Sequence, residues 1–119
     1  SIYLDKKMFA QAIVLLQKSL KGSDSEQENV APVHNALGFA YFAQEQYDRA
    51  IREYKEALKQ NPGYVTALNN LGLAYERKKL TAQALEIYEE ALKHEPNNAT
   101  AKRRAESLRK RLVPSSWIK

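Results

Sequence analysis

Gly38 and Gly72 stand 34 residues apart, and the residues around them recur at the same interval. Leu37 returns as Leu71, Tyr41 as Tyr75, Ala50 as Ala84, Tyr54 as Tyr88, Ala57 as Ala91, Leu58 as Leu92 and Pro62 as Pro96. A recurrence of this length and content restricts the chain to stacked helix-turn-helix units, each too small to bury its apolar face alone. Function in such an array belongs to the surface that neighbouring units build together. Binding is therefore the expected use, and catalysis the less expected one.

Residues 31–64 and 65–98 form two complete repeats. In each, the first helix carries a Leu-Gly pair followed by Tyr, and the bare glycine lets a neighbouring helix come close. That approach costs about 1 kcal/mol in helix propensity. In the second helix Ala50, Tyr54, Ala57 and Leu58 alternate small and large contacts at helical spacing. Thr81 is expected to cap the corresponding helix of the later repeat. The runs Gln60-Asn61-Pro62-Gly63 and Glu95-Pro96-Asn97-Asn98 end the repeats, because proline cannot continue a helix.

The period breaks at both ends. Phe9 to Ile13 matches Tyr47 to Ile51 at an offset of 38, so residues 1–20 read as a truncated repeat: the end of a first helix plus a second helix. The chain thus opens within a helix, as a piece cut from a longer protein would. A polar connector at 21–30 follows, read as an exposed loop or a helix extension. Residues 99–112 form a basic capping helix with Ala101, Ala105, Leu108 and Leu112 on one face. The tail, 113–119, leaves the pattern, and Trp117 is expected to fold back onto the cap rather than dock elsewhere. The count is about seven helices, all-α, with the last as a cap.

Charge is distributed unevenly. Of a net +5, residues 102–119 contribute seven basic side chains against Glu106, or +6, leaving twelve basic and thirteen acidic elsewhere, or −1. Lys102, Arg109, Lys110 and Arg111 form a basic patch, whose plainest reading is a solvated cap face. An adaptor that meets an anionic membrane surface or RNA through this helix is the alternative function. Nucleic acid is disfavoured, since only Trp117 interrupts the basic residues with an aromatic ring. There are no cysteines, and no apolar run reaches the ~20 residues of a membrane span.

These positions resemble the tetratricopeptide repeat: Leu-Gly-x-x-Tyr in one helix, then Ala, an aromatic, Ala and a closing Pro. His34 and Leu68 stand at the bulky first position, so neither repeat has Trp there. The resemblance implies a solenoid of antiparallel helix pairs wound into a right-handed superhelix, whose concave face binds partner proteins. The stretch from Leu71 through Ala74-Tyr75-Glu76-Arg77-Lys78 to Ala99, Arg103, Arg104 and Arg109-Lys110-Arg111 resembles the C-terminal end of cyanobacterial and plastid members involved in photosystem I assembly. That finer resemblance implies an assembly factor at the thylakoid of a chloroplast or cyanobacterium.

A second stripe on the first helices holds Asn35, Phe39 and Phe42, then Asn69, Leu73 and Glu76, bordered by Asn70 and Arg77 and continued by Arg103, Arg104 and Ser107. The resemblance makes this stripe the groove. Asparagine amides suit a peptide backbone, Phe39 and Phe42 supply desolvation, and Arg103 and Arg104 favour an acidic partner. The structural alternative is that Asn70 bonds neighbouring backbone and that the preceding helix covers Phe39.

Some family members grip chaperone C-terminal carboxylates with two Lys, two Asn and one Arg. The corresponding residues here are Asn35, Phe39, Asn70, Thr100 and Arg104, of which only Asn70 and Arg104 match. His34 and His94 are the only histidines and read as structural, so no cofactor and no metal are expected. Self-association through the truncated first repeat is a further expectation.

Overall fold

The computed structural model describes residues 2–22 and 29–113. Six α-helices follow one another: α1 Ile2–Gly22, α2 Ala31–Ala43, α3 Tyr47–Gln60, α4 Val65–Arg77, α5 Thr81–His94 and α6 Ala99–Leu112. The helices α2, α4 and α6 start at 31, 65 and 99, and α3 and α5 at 47 and 81, so the 34-residue offset holds to the residue. The turns repeat too: Glu45 and Lys79 both take a left-handed backbone at φ 62°. Trp117 and most of the connector and tail lie outside the described residues.

Two expectations are corrected. The truncated repeat at 1–20 is one continuous helix of 21 residues, which brings the described count to six. The turn that its alignment predicts near Lys6 would need a strained left-handed residue like Glu45. Elsewhere in the chain such strain is offset by packing the two helices against each other. Thr81 is not a cap: Leu80 occupies that place without a side-chain hydrogen bond, and Thr81 is the first helical residue. Asn98 does cap a helix with its side chain, its Oδ1 accepting the Ala101 amide at 3.0 Å.

Each helix packs on the next in sequence, and α2 also touches α4. The molecule is accordingly long, 57 × 36 × 20 Å with a radius of gyration of 16.0 Å, against about 13–14 Å for a compact domain of this length. Within each repeat an aromatic ring from the second helix lies on the glycine of the first. A Cβ added at Gly38 would fall 2.5 Å from Tyr54 Cε1, and one at Gly72 would fall 2.7 Å from Tyr88 Cε1. Both rings are 1% exposed. Burial pushes the Tyr54 hydroxyl far above the ordinary tyrosine range, so it stays neutral.

Helix α1 is packed on one side only. Met8 and Leu15, 58% and 67% exposed, align through the two offsets with Leu80 and Ile87. Those two residues pack against the core, whereas no described helix covers the corresponding face of α1.

The glycine contacts make a prediction. Gly38→Ala is expected to destabilise by about 1–3 kcal/mol through overpacking, despite the better helix propensity of alanine. On a Tyr54→Leu background, which removes the ring, the same change is expected to cost much less. Urea unfolding of the four proteins measures this, and strictly additive costs would refute the contact.

Candidate functional site

The first helices α2, α4 and α6 lie along one surface, held there by side chains that cross between them. Asn70 Nδ2 donates to Asn35 Oδ1 at 3.1 Å, joining α4 to α2. Asn69 Nδ2 donates to Asn98 Oδ1 at 3.1 Å, joining α4 to the cap of α6. Glu76 accepts Arg104 Nε at 2.9 Å, pairs with its Nη2 through the other oxygen, and accepts the Tyr88 hydroxyl at 2.7 Å. The surface is therefore a cross-linked floor, in which Asn70 bonds the Asn35 side chain rather than neighbouring backbone, while Asn98 Oδ1 accepts both Asn69 and the Ala101 amide. Asn69 Oδ1 is the one buried side-chain oxygen without a partner among the described residues.

Glu76 does not offer a free carboxylate to the groove, because its side chain is only 7% exposed. Burial alone would push its carboxyl up. The hydrogen bonds from Arg104 and Tyr88, with the charges of Arg104 and Arg111, outweigh burial and hold it below the ordinary range. The partners respond in kind. Burial first, then Glu76, raises the Tyr88 hydroxyl, and the bond to Glu76 raises the Arg104 guanidinium.

The two phenylalanines have separate fates. Phe39 is 52% exposed and makes an edge contact to Phe9 of α1 at 6.2 Å between centroids. Phe42 is half-buried, flanked by Tyr47 at 5.3 Å and covered by the Arg77 guanidinium at 5.3 Å from its centroid. Leu73 is half-buried between these levels, while Arg77 and Arg103 are exposed. The basic patch is partly neutralised: Arg109 lies 3.6 Å from Glu89 and Lys110 lies 3.9 Å from Glu106. Lys102 reaches Asn97 Oδ1 at 3.4 Å.

Sequence reasoning missed Tyr88 and Phe9 as parts of this site. Tyr88 reads only as a core residue, and Phe9 lies on a helix whose register to α2 depends on the connector. His34 has the structural role expected of it, with Nδ1 2.7 Å from Glu53 Oε1. The ring of His94 backs onto Gly63, whose added Cβ would lie 3.2 Å from Nδ1. A recess lies off the groove at the α2–α3 turn, where Lys78 pairs with Asp48.

Helix pairs repeated at 34 residues, with first helices presenting one polar and aromatic face, define a helical-repeat scaffold for protein–protein interaction. The model of the family described as tetratricopeptide repeat matches residues 35–101, and the chain belongs to that family. It is 39% identical over 70 residues to the tetratricopeptide repeat domain-containing protein PYG7, chloroplastic, of Arabidopsis thaliana, covering 59% of this chain and 23% of that protein. To the uncharacterized protein ycf37 of Cyanophora paradoxa it is also 39% identical over 70 residues, covering 59% of this chain and 41% of the relative. The chain thus spans less than half the length of these curated relatives.

The first repeat domain of Spaghetti (RPAP3), solved bound to an HSP90 peptide, superposes with a TM-score of 0.81 at 21% identity, over 94% of this chain and 86% of that one. At that identity the likeness concerns the fold. The expected all-α repeat solenoid and the resemblance to plastid tetratricopeptide proteins both stand. Proteins of this fold are typically interaction scaffolds rather than enzymes.

A depressed Glu76 carboxyl contributes stability that is fully present above its unfolded value of about 4.5 and is lost as pH falls through the lower folded value. The stability gap between wild type and Glu76→Gln is therefore expected to be constant from pH 7 to about 5.5 and to shrink below 4.5. Arg104→Ala should cost about 2 kcal/mol at pH 7. Thermal melts across this pH range measure both, and a gap that widens in acid would contradict the ion pair.

Proposed function

We propose that the surface of α2, α4 and α6 binds a segment of a partner protein, and that the protein serves the assembly of a larger complex, photosystem I, in a plastid or cyanobacterial setting. The observation that carries the first part is the 52%-exposed Phe39 beside the bonded Asn35–Asn70 pair. A large exposed aromatic on a rigid, cross-linked face is the kind of anchor on which binding energy concentrates. The second part is supported by the resemblance of residues 71–111 and by the chloroplast relative at 39% identity. Among the described residues no helix is long and apolar enough to cross a membrane, so any membrane subunit would be met from outside the bilayer by this part of the chain.

The test uses the full-length protein in a photosynthetic host lacking its own counterpart. Phe39→Ala/Leu73→Ala is expected to lower photosystem I accumulation and leave photosystem II unchanged, while Arg109→Ala/Lys110→Ala behaves as wild type. Measured against an identified photosystem I subunit, the groove variant should weaken binding by about tenfold or more. Normal photosystem I in the groove variant, or its loss only in the Arg109/Lys110 variant, would sink the proposal.

A further inference from the structure

Glu76 occupies the position in the groove where a carboxylate from a partner would meet Arg104. It takes that guanidinium with both oxygens and is locked by the Tyr88 hydroxyl. A two-pronged pair of this kind uses the edge of the guanidinium best suited to a carboxylate. An incoming carboxylate would have to displace a desolvated one and strip Glu76 of the guanidinium bonded to both its oxygens, which is strongly unfavourable.

The cations around this pair are not engaged in the same way. Arg103 adjoins Arg104, and Arg111 lies two turns further along α6; both are exposed and neither has an ion pair among the described residues. Arg77 ends α4 and lies over Phe42. Glu76 is the sole acidic residue of the stripe, so this end carries four guanidinium groups against one carboxylate, or +3. The other end presents Phe39. A cationic patch held on a rigid floor next to an apolar anchor complements an acidic segment that bears an apolar side chain.

We infer that the groove recognises an internal acidic segment of its partner, whose side-chain carboxylates lie on Arg103 and Arg111, while Glu76 acts as the built-in occupant of Arg104 and excludes a chain-terminal carboxylate. The inference rests on the groove reading above and names the chemistry of the ligand and the residue that sets specificity. It also accounts for the fate of the two residues that match the chaperone-tail clamp: Asn70 is bonded to Asn35 and Arg104 to Glu76.

The probe is a hexaglutamate peptide, either capped at both ends or with a free C-terminus, titrated into the 119-residue chain while the arginine side-chain Nε resonances are followed. Both peptides are expected to move Arg103 and Arg111, with affinities equal within about twofold and weakened by salt, and to leave Arg104 in place. In Glu76→Gln the free-acid peptide should bind at least about threefold better than the capped one, with Arg104 now shifting. Movement of neither Arg103 nor Arg111 overturns the inference, as does a wild-type preference for the free terminus or a wild-type shift of Arg104. A shift confined to Arg109, on the basic patch outside the groove, would overturn the groove reading as well. Should Glu76→Gln lose its helical signal, the comparison of the two peptides on wild type decides alone.

Discussion

The ring of Tyr54 seated on Gly38, and that of Tyr88 on Gly72, sets how closely the two helices of each repeat approach. All other contacts assume that spacing. With the ring buried against bare backbone, Ala50, Ala84 and Ala91 are fully enclosed in the same core, leaving no room for larger side chains, while Ala57 is enclosed with Ala31 and Ala67. The repeat then presents a fixed outer face on its first helix. Stacking two such units and a cap lines up α2, α4 and α6, which is why the Asn70–Asn35 bond and the Glu76–Arg104 pair can form at all.

Tyr88 joins the two systems. Its ring packs on Gly72 while its hydroxyl reaches through to Glu76 on the groove side. The spacing contact and the charge that defines the groove therefore share a residue, so the packing that sets the repeat also holds the carboxylate in place. Tyr54, its counterpart 34 residues earlier, has no such carboxylate to bind, because Phe42 stands where Glu76 does. The two repeats are alike in their cores and unlike in what their cores support.

Much of the fold could be read from the sequence because a solenoid is built from local interactions. Helix starts at 31, 65 and 99 follow from a period that needs no long-range information. The misreadings fall where locality fails. The turn expected near Lys6 is continuous helix instead, with α1 running from Ile2 to Gly22. Thr81 was expected to cap by residue type, but the turn places Leu80 there instead. For the site, the stripe of Asn35, Phe39, Asn69 and Leu73 was recoverable from helical spacing. That Phe42 is shielded by Arg77 while Phe39 stays open was not, since it depends on which neighbour leans across.

The sequence by itself determined the 34-residue repeat, the basic end and the stripe along the first helices, because each is a matter of periodicity or composition along one chain. Only the tertiary structure decided which of those outward residues remain available. Glu76, Arg104, Asn35 and Asn70 read as four separate polar contacts for a partner, yet they bond one another across helices 28 and 35 residues apart in sequence. Pairing of that kind depends on side-chain reach between stacked units, a distance in space that the period does not encode.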